Sequence, residues 1–423
     1  MGHFAYTMNY ALTKTDNLQI MKRLINFLLI VTLFNFLISC NERTKGNATT
    51  KQNTDTKKLV GGGCDGCEIM YVGMPANIKS VDTSAGWAEK GQKLLVTGTV
   101  FKLGGKTPAP NVVIYYWQTD NNGYYSPKQG LHEKAKRHGH IRGWVKTDEN
   151  GKYSINTIKP APYPHENIPA HIHTSIKEPN IDNEYYIDEF VFDDDKYLTG
   201  EKRKALENRG GSGILRVLPS GDLQIAEHNI ILGLNIPNYP ETNKPEKQSG
   251  LEIGEDNPSF IPYHAFGPDK GSRACPVCKY GRFHGIVYFV GNNPNWNDIK
   301  QWLTFLEQES VTRSKYLKAY FVYGNENNYV KDTRQKELEK IGNELNLKNI
   351  ALTFVPSMSD TESEVNLNKI NPNVENTFII YKHQTIVEKF IDLKPTEENF
   401  KKISNTLDKT KGEYFNLQET EHN

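Results

Sequence analysis

The sequence predicts two folded domains, an antiparallel β-sandwich followed by an α/β domain. A chain of 423 residues is too long for one ordinary hydrophobic core. Between about residues 59 and 240, short β-branched and aromatic runs alternate with hairpin-type turns, which is the pattern of a sandwich. From about residue 271 to 410, strand-like runs alternate with segments whose apolar residues recur at helical spacing.

Residues 1–40 predict a lipoprotein signal peptide whose true start is Met21. Lys22-Arg23 precedes an apolar run over residues 24–38, and Cys40 follows shortly afterwards. A basic start, a short apolar stretch and small residues at the cleavage site are typical of export signals. The cysteine resembles the lipidated residue of a bacterial lipobox. The alternative is a transmembrane anchor, for which the run is short.

Residues 41–58 are polar and would tether the mature protein to a membrane through the lipid alone. This predicts an exported protein, in the periplasm or at the cell surface. The sequence has 51 Lys and Arg against 50 Asp and Glu, a formal net charge of +1. This balance argues against a general nucleic-acid partner, and an oligomer stays possible.

Two strands and three turns are the clearest elements of the β-domain. Residues 94–100 and 112–117 are β-branched and aromatic runs. Asn122-Gly123, Asn150-Gly151 and residues 219–222 supply the conformations that tight hairpin turns need. A tyrosine stands two residues after each Asn-Gly step. We expect the second of them, Tyr153, to pack in the core.

Residues 241–270 are rich in Pro, Asn, Glu and Gly and are predicted to be a linker. Residues 271–410 then predict the order β-α-β-α-β, a hairpin and a last helix. That order resembles a thioredoxin-like fold. Residues 411–423 would be a polar tail.

The pair His171 and His173 is the clearest candidate for a functional site. Side chains at i and i+2 of a strand point the same way, and neutral imidazole is a common metal ligand. Tyr163 and either Tyr124 or Tyr125 stand upstream, and we favour Tyr125 because the two neighbours face opposite sides of a strand. Two tyrosines and two histidines suit ferric iron. The alternative is a surface or zinc-binding histidine pair.

Motifs between residues 112 and 173 resemble those of the intradiol ring-cleavage dioxygenases, such as protocatechuate and catechol dioxygenases. The similarity extends to residues 232–237. The motifs occur in the family's order, and they are Trp117-Gln118 with Gly123 and Tyr125, Thr147-Asp148 with Gly151 and Tyr153, Thr157–Pro164, and Pro169–His173.

The resemblance implies a β-sandwich that holds Fe(III) through Tyr125, Tyr163, His171 and His173. It also implies that a catechol-like aromatic reacts with O2 and that its ring opens to a muconate-type diacid. Ferric iron favours anionic oxygen ligands, and metal binding can displace the phenolic proton.

The sequence departs from the family at two catalytic positions. The family usually has an arginine where Ile168 stands, and a glutamine where Glu189 is the apparent equivalent. We therefore predict Glu189 as a catalytic candidate, and Arg142 as a replacement source of positive charge. The alternative for Arg142 is a structural salt bridge.

Two Cys-x-x-Cys pairs, Cys64/Cys67 and Cys275/Cys278, allow disulfides, a zinc site or a redox site. We favour a local disulfide for the first pair. The second pair precedes the strand at residues 286–290, whereas a thioredoxin active pair follows the first core strand.

Three functions follow from these patterns. The first is an exported, lipid-anchored ferric dioxygenase acting on a catechol. The second is a β-sandwich binding lipoprotein without ring cleavage, which Ile168 and Glu189 favour. The third is a thiol-disulfide oxidoreductase that acts through the C-terminal domain.

Overall fold

The computed structural model describes residues 58–64, 66–240, 248–327 and 329–412. The predicted signal peptide, its Cys40, nearly all of the tether and the polar tail beyond residue 412 lie outside these residues. In the described ranges, no helix has the length and apolar character needed to cross a membrane.

Residues 58–240, which we call the N-terminal domain after the sequence prediction, contain twelve described strands, four 3-10 helices and one short α-helix, α1 Gly200–Lys204. The strands are β1 Val81–Thr83, β2 Lys93–Phe101, β3 Val113–Gln118, β4 Arg142–Lys146, β5 Lys152–Ile158, β6 His171–Lys177, β7 Tyr185–Tyr186, β8 Phe190–Phe192, β9 Ile214–Leu215, β10 Leu218–Ser220, β11 Leu223–Glu227 and β12 Ile230–Ile231.

These strands form two sheets that pack face to face. One sheet has the order β1-β5-β2-β11-β10, with β12 beside β2, and the other has the order β4-β3-β6-β8-β9, with β7 beside β6. Val96 and Ile155 of the first sheet share a core with Ile114 and Ile172 of the second. The predicted sandwich is therefore present.

The sheets are mixed, so the prediction of a purely antiparallel sandwich is wrong in part. The long central pairs β2–β5 and β3–β6 are antiparallel. The pairs β1–β5, β2–β11, β2–β12 and β8–β9 are parallel. These pairs are short, and period-2 patterning does not distinguish the two directions in runs of two to five residues.

Strand β3 separates two hydrophobic clusters and thereby positions the site. Ile114 and Tyr116 point into the sandwich core. Tyr115 and Trp117, on the opposite face, belong to a smaller cluster with Met70. Successive side chains of a strand face opposite sides, and each face of β3 is covered by one of the two clusters. All four residues are therefore buried.

The C-terminal domain is a six-stranded sheet with the order β13-β16-β15-β14-β17-β18. Its elements are β13 Tyr263–Phe266, α2 Pro276–Tyr280, β14 His284–Val290, α3 Trp296–Thr312, β15 Leu317–Tyr323, α4 Lys331–Glu344, β16 Ala351–Phe354, β17 Thr377–Lys382, β18 Thr385–Ile391 and α5 Glu397–Lys411. The predicted succession of strands and helices is confirmed.

The prediction of a linker over residues 241–270 is wrong at its C-terminal end. Strand β13 pairs with β16, and Asp256 forms a bridge with Thr385. The strand is only four residues long, and Pro262 and Gly267 flank it, which is why the sequence did not indicate it. Backbone pairing at the sheet edge holds β13 despite its short apolar pattern.

Both cysteine pairs are disulfides in the structure, Cys64–Cys67 and Cys275–Cys278. Their Cα atoms lie 5.5 and 5.3 Å apart, within the ordinary range for a disulfide. The structure therefore agrees with the local disulfide predicted for the first pair, and neither pair is arranged as a zinc site.

Candidate metal centre

His171 and His173 on β6 direct their Nε2 atoms at one point. The two Nε2 atoms lie 3.2 Å apart. His171 Nδ1 lies 2.8 Å from the Pro169 carbonyl, and His173 Nδ1 lies 2.7 Å from Glu189 Oε1. Carbonyl and carboxylate oxygens only accept, so both Nδ1 atoms carry the proton in the neutral rings. Both Nε2 atoms therefore present a lone pair.

The phenol oxygens of Tyr125 and Tyr163 complete a cluster of four potential ligand atoms. They lie 2.6 Å from each other. Tyr125 Oη is 2.7 Å from His173 Nε2, and Tyr163 Oη is 3.1 Å from His171 Nε2 and 3.5 Å from His173 Nε2. The structure thus brings together the four residues predicted from the sequence.

The exposed neighbour Tyr124 does not join this cluster. Its side chain is 55% exposed, whereas Tyr125 is half-buried among the ligand atoms. The choice of Tyr125 over Tyr124 follows from this placement. Tyr153, which we predicted to be a core residue, is 2% exposed and donates to the His228 carbonyl.

Polar side chains at the end of β3 join the two tyrosine loops. Gln118 donates through Nε2 to the Ile158 carbonyl and accepts from the Thr157 hydroxyl. The Thr119 hydroxyl donates to the carbonyl of Ala161. These bonds fix the chain that leads to Tyr163 against the strand that leads to Tyr125.

A glycine allows the closest approach between the loops. Gly123 has φ +84°, and a Cβ there would lie 2.2 Å from the Pro162 carbonyl oxygen. Asp120 Oδ1 accepts from the Asn122 and Tyr124 amides and closes this turn. The positive φ was predicted from the Asn-Gly step, but the contact with Pro162 was not.

Burial favours the uncharged forms of both phenols and of His171. Burial raises the pKa of Tyr125, and the hydrogen bond and charge of Tyr163 raise it further. Burial also raises the pKa of Tyr163, although the hydrogen bond from Tyr125 lowers it. Burial lowers the pKa of His171. The cluster therefore offers two phenolic protons that a cation can displace and, at His171, a neutral imidazole that can bind it.

The donor set fits a trivalent metal ion. Four ligand atoms 2.6–3.5 Å apart can all reach one ion at bonds of about 2 Å. Without a cation, the two Nε2 lone pairs face each other at 3.2 Å. Two phenolates would offset most of a 3+ charge. The residues present therefore fit the predicted Fe(III) site.

Trp117 supports His173 from the neighbouring strand, a contact that the sequence did not reveal. The residues pair in register, and their rings stack with centroids 4.8 Å apart. His138 stacks on the same indole at 4.1 Å, and its Nδ1 bonds the Tyr115 hydroxyl at 2.9 Å. The stack limits rotation of the His173 ring.

Glu189 contacts His173 rather than the centre of the cluster. Its Oε1 is 2.7 Å from Nδ1, on the side of the ring away from Nε2. Possible ligand atoms of His171, His173 and Glu189 all lie within 4.8 Å of one another. Burial raises the pKa of Glu189, but the hydrogen bond and charge of His173 outweigh it and lower that pKa overall.

The structure places the Arg142 guanidinium beside Val72, Tyr115 and Trp144, and its predicted catalytic role stays a prediction. Its buried guanidinium donates through Nη2 to the Val72 carbonyl. It also lies over the rings of Trp144 and Tyr115, at 4.7 and 5.2 Å from their centroids. The predicted alternative, a salt bridge, is replaced by these cation–π contacts.

Ile168 stands at the end of the loop that enters β6, where its side chain is 39% exposed. The Asp195 carboxylate accepts from the Ala170 amide at 2.8 Å and anchors this entry. The sequence identified the replacement of arginine by Ile168, but it gave no signal for Asp195.

Comparison with known proteins agrees with this geometry. Residues 71–210 match the protein family described as Dioxygenase. This segment is similar to dioxygenases. It includes both tyrosines, both histidines and Glu189, and it ends before the last strands of the sandwich.

Two curated proteins with similarity to this chain are dioxygenases by name. Catechol 1,2-dioxygenase of Acinetobacter baylyi is 32% identical over 121 residues, which are 25% of this chain and 38% of that protein. The protocatechuate 3,4-dioxygenase beta chain of Burkholderia cepacia is 37% identical over 92 residues, 20% of this chain and 39% of that protein. The chain spans less than half the length of these relatives.

A solved structure is also similar to part of this chain. Catechol 1,2-dioxygenase from Acinetobacter sp. ADP1, inhibited by bound mercury, covers 40% of this chain and 62% of its own, at 22% identity and a TM-score of 0.30.

Proposed function

We propose that the N-terminal domain binds Fe(III) through Tyr125, Tyr163, His171 and His173 and cleaves a catechol-type ring with O2. The observation that carries the proposal is the pair of Nε2 lone pairs 3.2 Å apart, with two phenol oxygens beside them. The homology of residues 71–210 supports the reaction class.

The ion, when bound, supplies Lewis acidity and a site where both catechol oxygens can bind. The protein supplies the rest. One of Tyr125 and Tyr163, deprotonated when the ion is held, would accept a catechol hydroxyl proton. The imidazoles, each held through Nδ1, keep their Nε2 atoms directed at the ion. The predicted product is a muconate-type diacid containing both oxygen atoms of O2.

Oxygen uptake with a panel of catechols tests this proposal. Iron-loaded protein should consume one O2 for each ring opened, and mass spectrometry with labelled oxygen should find both atoms in the product. The panel should contain catechols with different ring substituents, because the proposal assumes none in particular. A fully loaded protein that consumes no oxygen with any member would instead support the binding-protein alternative.

We also propose that the protein is exported and anchored through Cys40. The support is the basic start, apolar run and cysteine of the sequence. Metabolic labelling with a palmitate analogue, in the wild type and in Cys40→Ser, tests it. Labelling of both proteins alike would contradict the anchor.

A second candidate function belongs to the C-terminal domain, for which we propose a thioredoxin-like fold with an accessible disulfide. Cys275 caps α2, its Sγ accepts from the Cys278 amide at 3.0 Å, and Cys278 is exposed. An N–H directed at a sulfur favours the thiolate. Arguing against it, α2 precedes β14, and α3, which follows that strand, contains no cysteine. Insulin reduction by wild type and Cys275→Ser discriminates the two views.

A further inference from the structure

We propose that Glu189 is a positioning residue that fixes His173 as an Nε2 donor for the metal. The inference rests on the proposed ferric site and adds a role for a residue outside its four ligands. A histidine has two nitrogens, and the partner of one nitrogen decides which lone pair is available at the other.

Glu189 holds its imidazole directly. Its Oε1 lies 2.7 Å from His173 Nδ1, while His173 Nε2 lies 2.7 Å from the phenol oxygen of Tyr125. The carboxylate can only accept, so Nδ1 carries the proton and Nε2 keeps its lone pair. His171 reaches the same state through the Pro169 carbonyl, a backbone group that no side-chain substitution removes.

The two histidines therefore depend on different supports. The Pro169 carbonyl lies two residues before His171, so this contact is local in the chain. Glu189 directly precedes β8, the strand that pairs with β6, and it reaches His173 across the sheet. His173 is also the less buried of the two rings. Loss of Glu189 would leave it with the Trp117 stack, which restrains the ring plane but does not choose the tautomer.

Glu189 also adds a negative charge next to the ligand set. An Fe(III) ion with two phenolates and two neutral imidazoles carries a net charge of +1, and the carboxylate brings the group to neutrality. A glutamine at this position would accept the same hydrogen bond without that charge. The Glu189→Gln variant therefore separates orientation from charge, and Glu189→Ala removes both.

Ferric-iron affinity, measured by competition with a chelator, is the first test. Glu189→Ala should lose about 10–100-fold in affinity, as outer hydrogen-bond partners of metal-bound histidines typically do. Glu189→Gln should recover most of that loss, because its amide oxygen still accepts from Nδ1. The matched control is Glu149→Ala, which removes an exposed acidic side chain in the turn between β4 and β5. It should stay near wild type.

Imidazole nitrogen NMR of the metal-free protein at pH 8 is the second test, and it does not depend on iron. In wild type and Glu189→Gln, the His173 signals should report a proton on Nδ1, and in Glu189→Ala they should report a tautomer mixture. Wild-type tautomer and unchanged iron affinity in Glu189→Ala would overturn the proposal. If no variant binds iron, the proposed function fails, while the tautomer result still decides the role of Glu189.

Discussion

The phenol oxygens of Tyr125 and Tyr163 lie 2.6 Å apart, although the residues stand on two loops separated by β4 and β5. Burial raises the pKa of both phenols, so neither is an anion at neutral pH in the metal-free protein. Their approach brings together two phenolic protons that a metal ion can displace.

Iron binding should therefore release protons, and more of them in wild type than in a single-tyrosine variant. Since both phenols are protonated before binding, two phenolates require about two protons released per iron. The affinity should then rise with pH, and the rise should be shallower in Tyr163→Phe, which has one such proton. Calorimetric titration in buffers of different ionisation enthalpy measures the number of protons released per iron bound. Equal proton release from wild type and Tyr163→Phe would contradict the role of Tyr163.

Gly123→Ala should damage the metal site beyond its cost in backbone strain. An alanine at φ +84° costs about 1–2 kcal/mol, and its Cβ would also clash with the Pro162 carbonyl and push the Tyr163 loop away. The control is Gly130→Ala, where φ is +85° and a Cβ meets nothing within 4 Å. Urea unfolding should show a similar strain cost in the control, with iron affinity retained there and lost in Gly123→Ala. Loss of affinity in both variants would show that the Pro162 contact is not the cause.

Arg142→Met should destabilise the fold while leaving the metal site intact. The substitution removes the cation over Trp144 and leaves the Val72 carbonyl without its donor, at a cost of about 2 kcal/mol in unfolding free energy. Denaturant unfolding measures this cost, and iron affinity serves as the internal comparison. An undiminished stability together with lost oxygen uptake would restore the catalytic role that the sequence suggested for Arg142.

The sequence predicted the four clustered residues because their motifs are local and ordered along the chain. His171 and His173 lie on the same face of a strand because side chains alternate along it, and the Asn-Gly step predicted the turn before Tyr125. The support around them was not predictable in the same way. Trp117 and Glu189 reach His173 across the sheet, and such contacts depend on strand register, which no single segment encodes.

Two placements that the sequence did not predict have the same origin. Arg142 on β4 pairs in register with Trp117 on β3, but its side chain projects toward Val72 and the two aromatic rings. Residues 241–270 were predicted to be a linker because their composition is polar. Within them, Tyr263–Phe266 form β13, which pairs with β16 at the edge of the sheet. In both cases a long-range contact outweighed the local pattern.

The most direct test of the central claim is the visible spectrum of the protein titrated with ferric iron. Phenolate ligands on Fe(III) give a charge-transfer band, so wild type should turn burgundy and saturate at one iron per chain. The Tyr125→Phe/Tyr163→Phe variant, with both histidines kept, should stay colourless and bind iron far more weakly. A double variant with wild-type colour and affinity would show that Tyr125 and Tyr163 do not hold the metal.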